Sequence, residues 1–122
     1  MTTIAVIGAS TNREKYGNRC VRAYLSKGYF VVPINPHENQ IEGQKAYRSV
    51  LDFPEKIDLA SLYLQPEIGV KVLPELKQKG ILDFYVNPGA ESDELVAEAG
   101  KLGLKPRLTC SIRAIGLDPE KL

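Results

Sequence analysis

The sequence predicts an α/β domain built on a parallel sheet with helices packed against both faces. Three observations predict it. Short apolar, β-branched runs alternate with segments of helical periodicity along the chain. Glycine, proline or asparagine punctuates most of the boundaries between them. The length, 122 residues, suits one domain with a single sizeable core.

Each element follows from its residues. Ile4 to Ile7 is wholly apolar and ends at Gly8, as expected of a strand covered on both faces. From Asn18 to Lys27, Val21, Tyr24 and Leu25 fall at helical spacing, and Gly28 stands at the stop. Tyr29 to Ile34 is a second strand, closed by Asn35-Pro36, and Tyr47 to Phe53 reads as a short helical turn before Pro54. Asp58 to Leu64 is the third strand. Pro66 opens a helix to about Lys79, with Ile68, Val72, Leu73 and Leu76 on one side. Pro74 predicts a kink in it, and Gly80 its end. Ile81 to Val86 is the fourth strand, closed by Asn87-Pro88-Gly89. Ser92 is read as the N-cap of a helix with Asp93 and Glu94 in its first turn, running to Gly103. A fifth strand is expected at Lys105 to Thr109. Ser111 to Leu122 carries no assignment and is expected to dock on the domain or on a second subunit. The alternation gives one doubly wound, Rossmann-like domain over residues 1–122, with a five-stranded parallel sheet.

Composition narrows the function. Sixteen basic residues against fifteen acidic ones leave a net charge of +1, without the basic excess of a nucleic-acid or membrane-surface protein. No apolar run approaches a bilayer span, and Met1-Thr2-Thr3 leads straight into a strand rather than a signal peptide. A cytoplasmic location is expected. Cys20 and Cys110 are far apart and are read as packed thiols, and with His37 the one histidine, a zinc site is not expected. His37 itself is read as an exposed loop residue.

Ligands of an open parallel sheet sit beyond the carboxyl ends of its strands. Those ends carry Gly8-Ala9-Ser10, Asn35-Pro36, Gln65-Pro66 and Asn87-Pro88-Gly89, with no paired carboxylates and no nucleophile–base set. The first loop is the most informative. Gly8 permits a tight exit that brings backbone N–H groups to an anion, Ser10 offers a hydroxyl, and Arg13 and Lys15 offer charge. A helix beginning near Gly17 adds a positive pole. The loop, about ten residues, exceeds the usual two to six of such connections. A dinucleotide fingerprint is absent, because Ser10 stands where its second glycine belongs. Asn35 replaces the ribose-binding carboxylate, which excludes an NAD reading and leaves a phosphorylated ribose, as in NADP.

The blocks Val6-Ile7-Gly8-Ala9-Ser10, Lys15-Tyr16-Gly17 and Gly28-Tyr29 through Val32-Pro33-Ile34-Asn35-Pro36 carry a resemblance, continued by Ile41-x-Gly43, Tyr47-Arg48-Ser49-Val50, Ile57-Asp58-Leu59 and Pro66-Glu67. From Ile4 to about Ile112 the chain resembles the small single-domain CoA-binding proteins, which are similar to the N-terminal CoA-binding domain of the succinyl-CoA synthetase α subunit. The resemblance implies coenzyme A, or an acyl-CoA, held across the strand ends. Gly8, Ala9, Ser10 and Lys15 are then expected to face the phosphates, with Tyr16 and Arg13 beside them. Asn35 and Pro36 border the nucleotide, and Gln65, Pro66, Asn87, Pro88 and Gly89 wall the other side. The synthetase's phosphohistidine domain has no counterpart in this chain, so binding without chemistry of its own is expected. The alternatives are an NADP-dependent oxidoreductase and a redox protein in which Cys20 or Cys110 pairs with the thiol of CoA. A homodimer or a partner subunit is a further expectation.

Overall fold

Successive side chains of the first strand serve opposite faces, and both faces are buried, which is why Ile4 to Ile7 has no polar member. The computed structural model describes residues 1–122 and places this strand, β1, at Thr3–Ile7. Ala5 and Ile7 join one core cluster, Ile4 and Val6 the other. The chain continues through α1 (Tyr16–Ser26), β2 (Phe30–Ile34), a hairpin of β3 (Gln40–Ile41) and β4 (Gln44–Lys45), and a single 3-10 turn at Val50–Asp52. There follow β5 (Leu59–Leu62), α2 (Pro66–Lys79), β6 (Asp83–Val86), α3 (Asp93–Lys101), β7 (Lys105–Arg107), α4 (Ser111–Ala114) and a closing 3-10 turn at Pro119–Lys121.

Five strands form one parallel sheet in the order β2-β1-β5-β6-β7. Leu73 and Leu76 of α2 and Leu95 and Ala99 of α3 pack on one face. Cys20, Val21 and Tyr24 of α1 and Ile112 of α4 pack on the other, so the expected Rossmann-like, doubly wound domain is present. No helix is long and apolar enough to cross a membrane.

Several boundaries differ from expectation, each for a local reason. Ile81 was expected in the fourth strand, but its N–H bonds back to Leu76 as α2 ends at the left-handed Gly80, so β6 starts at Asp83. The expected helical turn at Tyr47 to Phe53 is helical only at Val50–Asp52. Tyr47 instead pairs beside β2, its N–H donating to Pro33 O at 3.0 Å and its O accepting from Asn35 N–H at 2.9 Å. Pro33 has no N–H to give, and this outer edge of β2 needs only its carbonyl. The β3–β4 hairpin was not expected. Its turn residues Glu42 and Gly43 both have positive φ, 49° and 77°, the geometry of a tight primed turn that usually carries asparagine or aspartate first. α2 continues as one helix through Pro74, which lies on its exposed side. α1 starts at Tyr16, one residue ahead of the expected start near Gly17, and β7 ends at Arg107 rather than Thr109.

Candidate functional site: a cleft at the carboxyl edge of the sheet

Strand order reverses direction between β1 and β5, which leaves a crevice above their carboxyl ends. A cleft of about 920 Å³ occupies it, reached by the loops that follow β1, β2, β5 and β6. Gly8 lies at its floor with φ +94°, and a Cβ there would stand 2.2 Å from Tyr63 O. Gly17 is as constrained, since its Cβ would meet Gly8 O at 2.4 Å. The first approach packs the end of β1 against the exit of β5, and the second brings the first turn of α1 down onto that end.

The loop between them is organised by its own side chains. Asn12 N–H donates to Ser10 Oγ at 3.0 Å, and Glu14 N–H donates to Asn12 Oδ1 at 3.0 Å. Asn18 Nδ2 donates to Ser10 O at 2.8 Å and is itself held by Arg22, whose Nε donates to Asn18 Oδ1 at 2.7 Å. The backbone N–H groups of Ala9, Ser10, Tyr16 and Gly17 make no hydrogen bond within the protein. α1 has no side-chain N-cap and no acidic residue in its first turn. Ser10 keeps its own hydroxyl proton to donate. The result is an anion-receptive concavity of bare N–H groups at a positive helix pole.

Of the residues expected here, Gly8, Ala9, Ser10, Lys15, Tyr16, Asn35, Pro36, Gln65, Asn87, Pro88 and Gly89 line the cleft. Arg13 does not: it turns away to Glu42, Nε to Oε2 at 3.6 Å, while Arg22 holds its carbonyl. Pro66 is also outside, because as the first residue of α2 it serves the helix start rather than the cleft wall. Asn35 and Asn87 line the cleft with their polar ends already engaged. Asn35 Oδ1 accepts from His37 N–H at 2.7 Å and its Nδ2 donates to Ala9 O at 2.8 Å, tying the first loop to the second. Asn87, 2% exposed, donates from Nδ2 to Ser61 Oγ and Leu62 O, both at 2.8 Å, and accepts Ser111 N–H at 2.8 Å.

Behind Asn87 lies a buried hydroxyl cluster. Ser61 and Ser111 share a bond of 2.7 Å, Tyr24 OH donates to Ser111 O at 2.7 Å, and Tyr63 OH meets Ser111 Oγ at 3.1 Å. Burial holds both phenols well above the usual tyrosine range. Cys20 belongs to this cluster, 3.6 Å from Ser111 Oγ, and burial pushes its thiol up to about 11. Cys110 is half-buried, and neither cysteine lines the cleft.

The structure adds residues that the sequence reading did not place in the site. Arg48 reaches the cleft because Tyr47 is pinned beside β2, and it makes no ion pair or side-chain hydrogen bond within the protein. His37, exposed as expected, stands at the lip. Ile68, Val72 and Glu75 form one face of α2 opposite Val50, and Ser49 Oγ donates to the Glu75 carboxylate. The spacing 68, 72, 75 is one helical stripe, of which the sequence placed Ile68 and Val72 on one side of the helix with Leu73 and Leu76.

Lys15 and Arg48, bare N–H groups and an apolar wall on α2 line a cleft at the switch point of a Rossmann-like α/β domain. The chain belongs to the CoA binding domain family, whose pattern matches residues 2–112. The ADP-forming acetate–CoA ligase II subunit alpha of Pyrococcus furiosus is 31% identical over 113 residues, covering 84% of this chain and 25% of that subunit. The chain thus spans a quarter or less of the curated ligases it first matches, and is homologous to their CoA-binding part. Among solved structures, a conserved hypothetical protein of Pyrococcus furiosus superposes with a TM-score of 0.86 at 36% identity, over 93% of this chain and 99% of that one. The dinucleotide-forming acetyl-coenzyme A synthetase 1 of Ca. Korarchaeum cryptofilum gives 0.76 at 31%, over 86% of this chain and 25% of that one.

Proposed function

We propose that the cleft binds coenzyme A or an acyl-CoA, and that the domain contributes binding rather than bond-making. The observation that carries this reading is the set of unpaired N–H groups at Ala9, Ser10, Tyr16 and Gly17, which faces a cleft also lined by Lys15, His37 and Arg48. A diphosphate with a further ribose phosphate is a ligand of matching charge. The apolar wall of Val50, Ile68 and Val72 suits the uncharged parts of such a molecule. Family membership supports the choice of CoA over NADP. The relation to a ligase subunit alpha supports a partner subunit that supplies the chemistry.

Thermal unfolding with CoA, acetyl-CoA and NADP tests the reading. At a CoA concentration a hundred times Kd, mass action adds about 2.7 kcal/mol, which raises Tm by about 10 °C. Ser10→Asp sets a carboxylate against the phosphates and is expected to abolish that rise, while unliganded Tm moves by no more than about 2 °C. No shift with CoA up to about 1 mM overturns the proposal, and a shift with NADP alone replaces CoA by NADP.

A further inference from the structure

The last turn of the chain lies beyond the residues matched to the family, yet it touches Tyr16, which lines the cleft. Its geometry is set locally: Asp118 Oδ1 accepts the Glu120 N–H at 2.9 Å, and Pro119 is buried. Two residues of α1 meet it. Tyr16 OH donates to Glu120 Oε1 at 2.6 Å. Arg19 donates from one terminal nitrogen to Pro119 O at 3.2 Å, and the same nitrogen lies 3.8 Å from Glu120 Oε2. The guanidinium of Arg19 stands 4.9 Å from the centroid of the Tyr16 ring, and its Nε is buried without a partner. Arg19 is therefore held by packing between the ring and the turn.

Tyr16 is the residue on which both roles converge. It lines the cleft, it is the first residue of α1, and its own N–H is one of the unpaired donors. A ring half open to solvent at a helix start would otherwise sample several rotamers and let the first turn fray. We infer that the C-terminal turn is a positioning element of the ligand cleft: Glu120 and Arg19 hold Tyr16, and with it the bare first turn of α1, in the geometry that receives the ligand. The inference rests on the CoA reading above. Neither Glu120 nor Arg19 lines the cleft, so both act through Tyr16. The coupling is reciprocal, so ligand in the cleft also secures the turn. The hydrogen bond to Glu120 raises the Tyr16 phenol above its ordinary range, which provides a direct spectroscopic signature of the clasp.

The test uses the full chain with Glu120→Ala, Glu120→Gln, Tyr16→Phe and the Glu120→Ala/Tyr16→Phe double variant, titrated with CoA by calorimetry. Glu120→Ala and Tyr16→Phe are each expected to weaken CoA roughly fivefold, the size of one net hydrogen bond, and the double variant no more than either alone. Glu120→Gln still accepts a hydrogen bond and is expected to stay within about twofold of wild type. NMR of ring-labelled tyrosine is expected to show Tyr16 titrating at lower pH in Glu120→Ala. Unchanged CoA affinity in Glu120→Ala, or additive losses in the double variant, overturns this inference and leaves CoA binding standing. Failure of the wild-type chain to bind CoA overturns both.

Discussion

At the scale of single residues, two glycines that line the cleft, Gly8 and Gly17, are the most tightly packed glycines of the chain. Gly8 combines a left-handed φ of +94° with a Cβ position 2.2 Å from the Tyr63 carbonyl oxygen. Gly8→Ala is expected to destabilise the domain by about 2–4 kcal/mol, from backbone strain and overpacking together. Urea denaturation measures it, and a loss within error would mean that the β1 exit relaxes freely. Gly8 was legible as a turn because a glycine after an apolar run has few other uses. Arg13 and Arg48 show the converse. Both are exposed arginines in loops, and no local pattern separates the one that turns to Glu42 from the one that faces the cleft. That choice depends on where Tyr47 pairs, and the pairing partner, Ile34, is distant in sequence.

At the scale of elements, the loops at the strand ends are held by amides rather than by regular secondary structure. Asn87 joins β5, β6 and the start of α4 through bonds to Ser61, Leu62 and Ser111. Asn87→Ala leaves the Ser111 N–H and the Ser61 hydroxyl short of partners in a buried site. A loss of about 2–3 kcal/mol is expected, read as a lower urea midpoint at unchanged m-value. The asparagines were legible as residues of the sheet's carboxyl edge, but their engaged side chains were not. An asparagine at a strand end can face a ligand or brace a neighbouring loop, and only the positions of Ser61, Ser111 and Ala9 decide between the two. Helices were read well where periodicity and caps agree, as at Ser92, whose Oγ accepts the Leu95 N–H at 3.0 Å. The β3–β4 hairpin escaped because strands of two residues carry no periodicity.

At the scale of the whole molecule, Cys20 reports on global rather than local opening. It is fully buried where α1, β5 and α4 meet, and burial pushes its thiol up to about 11, so little thiolate forms at neutral pH. Native protein is expected to resist labelling of Cys20 by a maleimide until it unfolds, with CoA slowing the reaction further. Mass spectrometry of digested, labelled protein checks this, and rapid native labelling of Cys20 would show that α1 opens by itself. The sequence by itself determined the fold class, the order of the main elements, the glycine turn after β1 and the family, because alternating apolar runs and punctuating residues are local signals. Tertiary structure alone decided that Arg48 and not Arg13 faces the cleft, and that Asn35 and Asn87 brace its walls. It alone showed that the final turn, unassigned from the sequence, returns to clasp Tyr16 through Glu120, a contact across 104 positions. Such contacts are set by strand order and helix packing, and side chains brought together from distant segments leave no periodic trace along the chain.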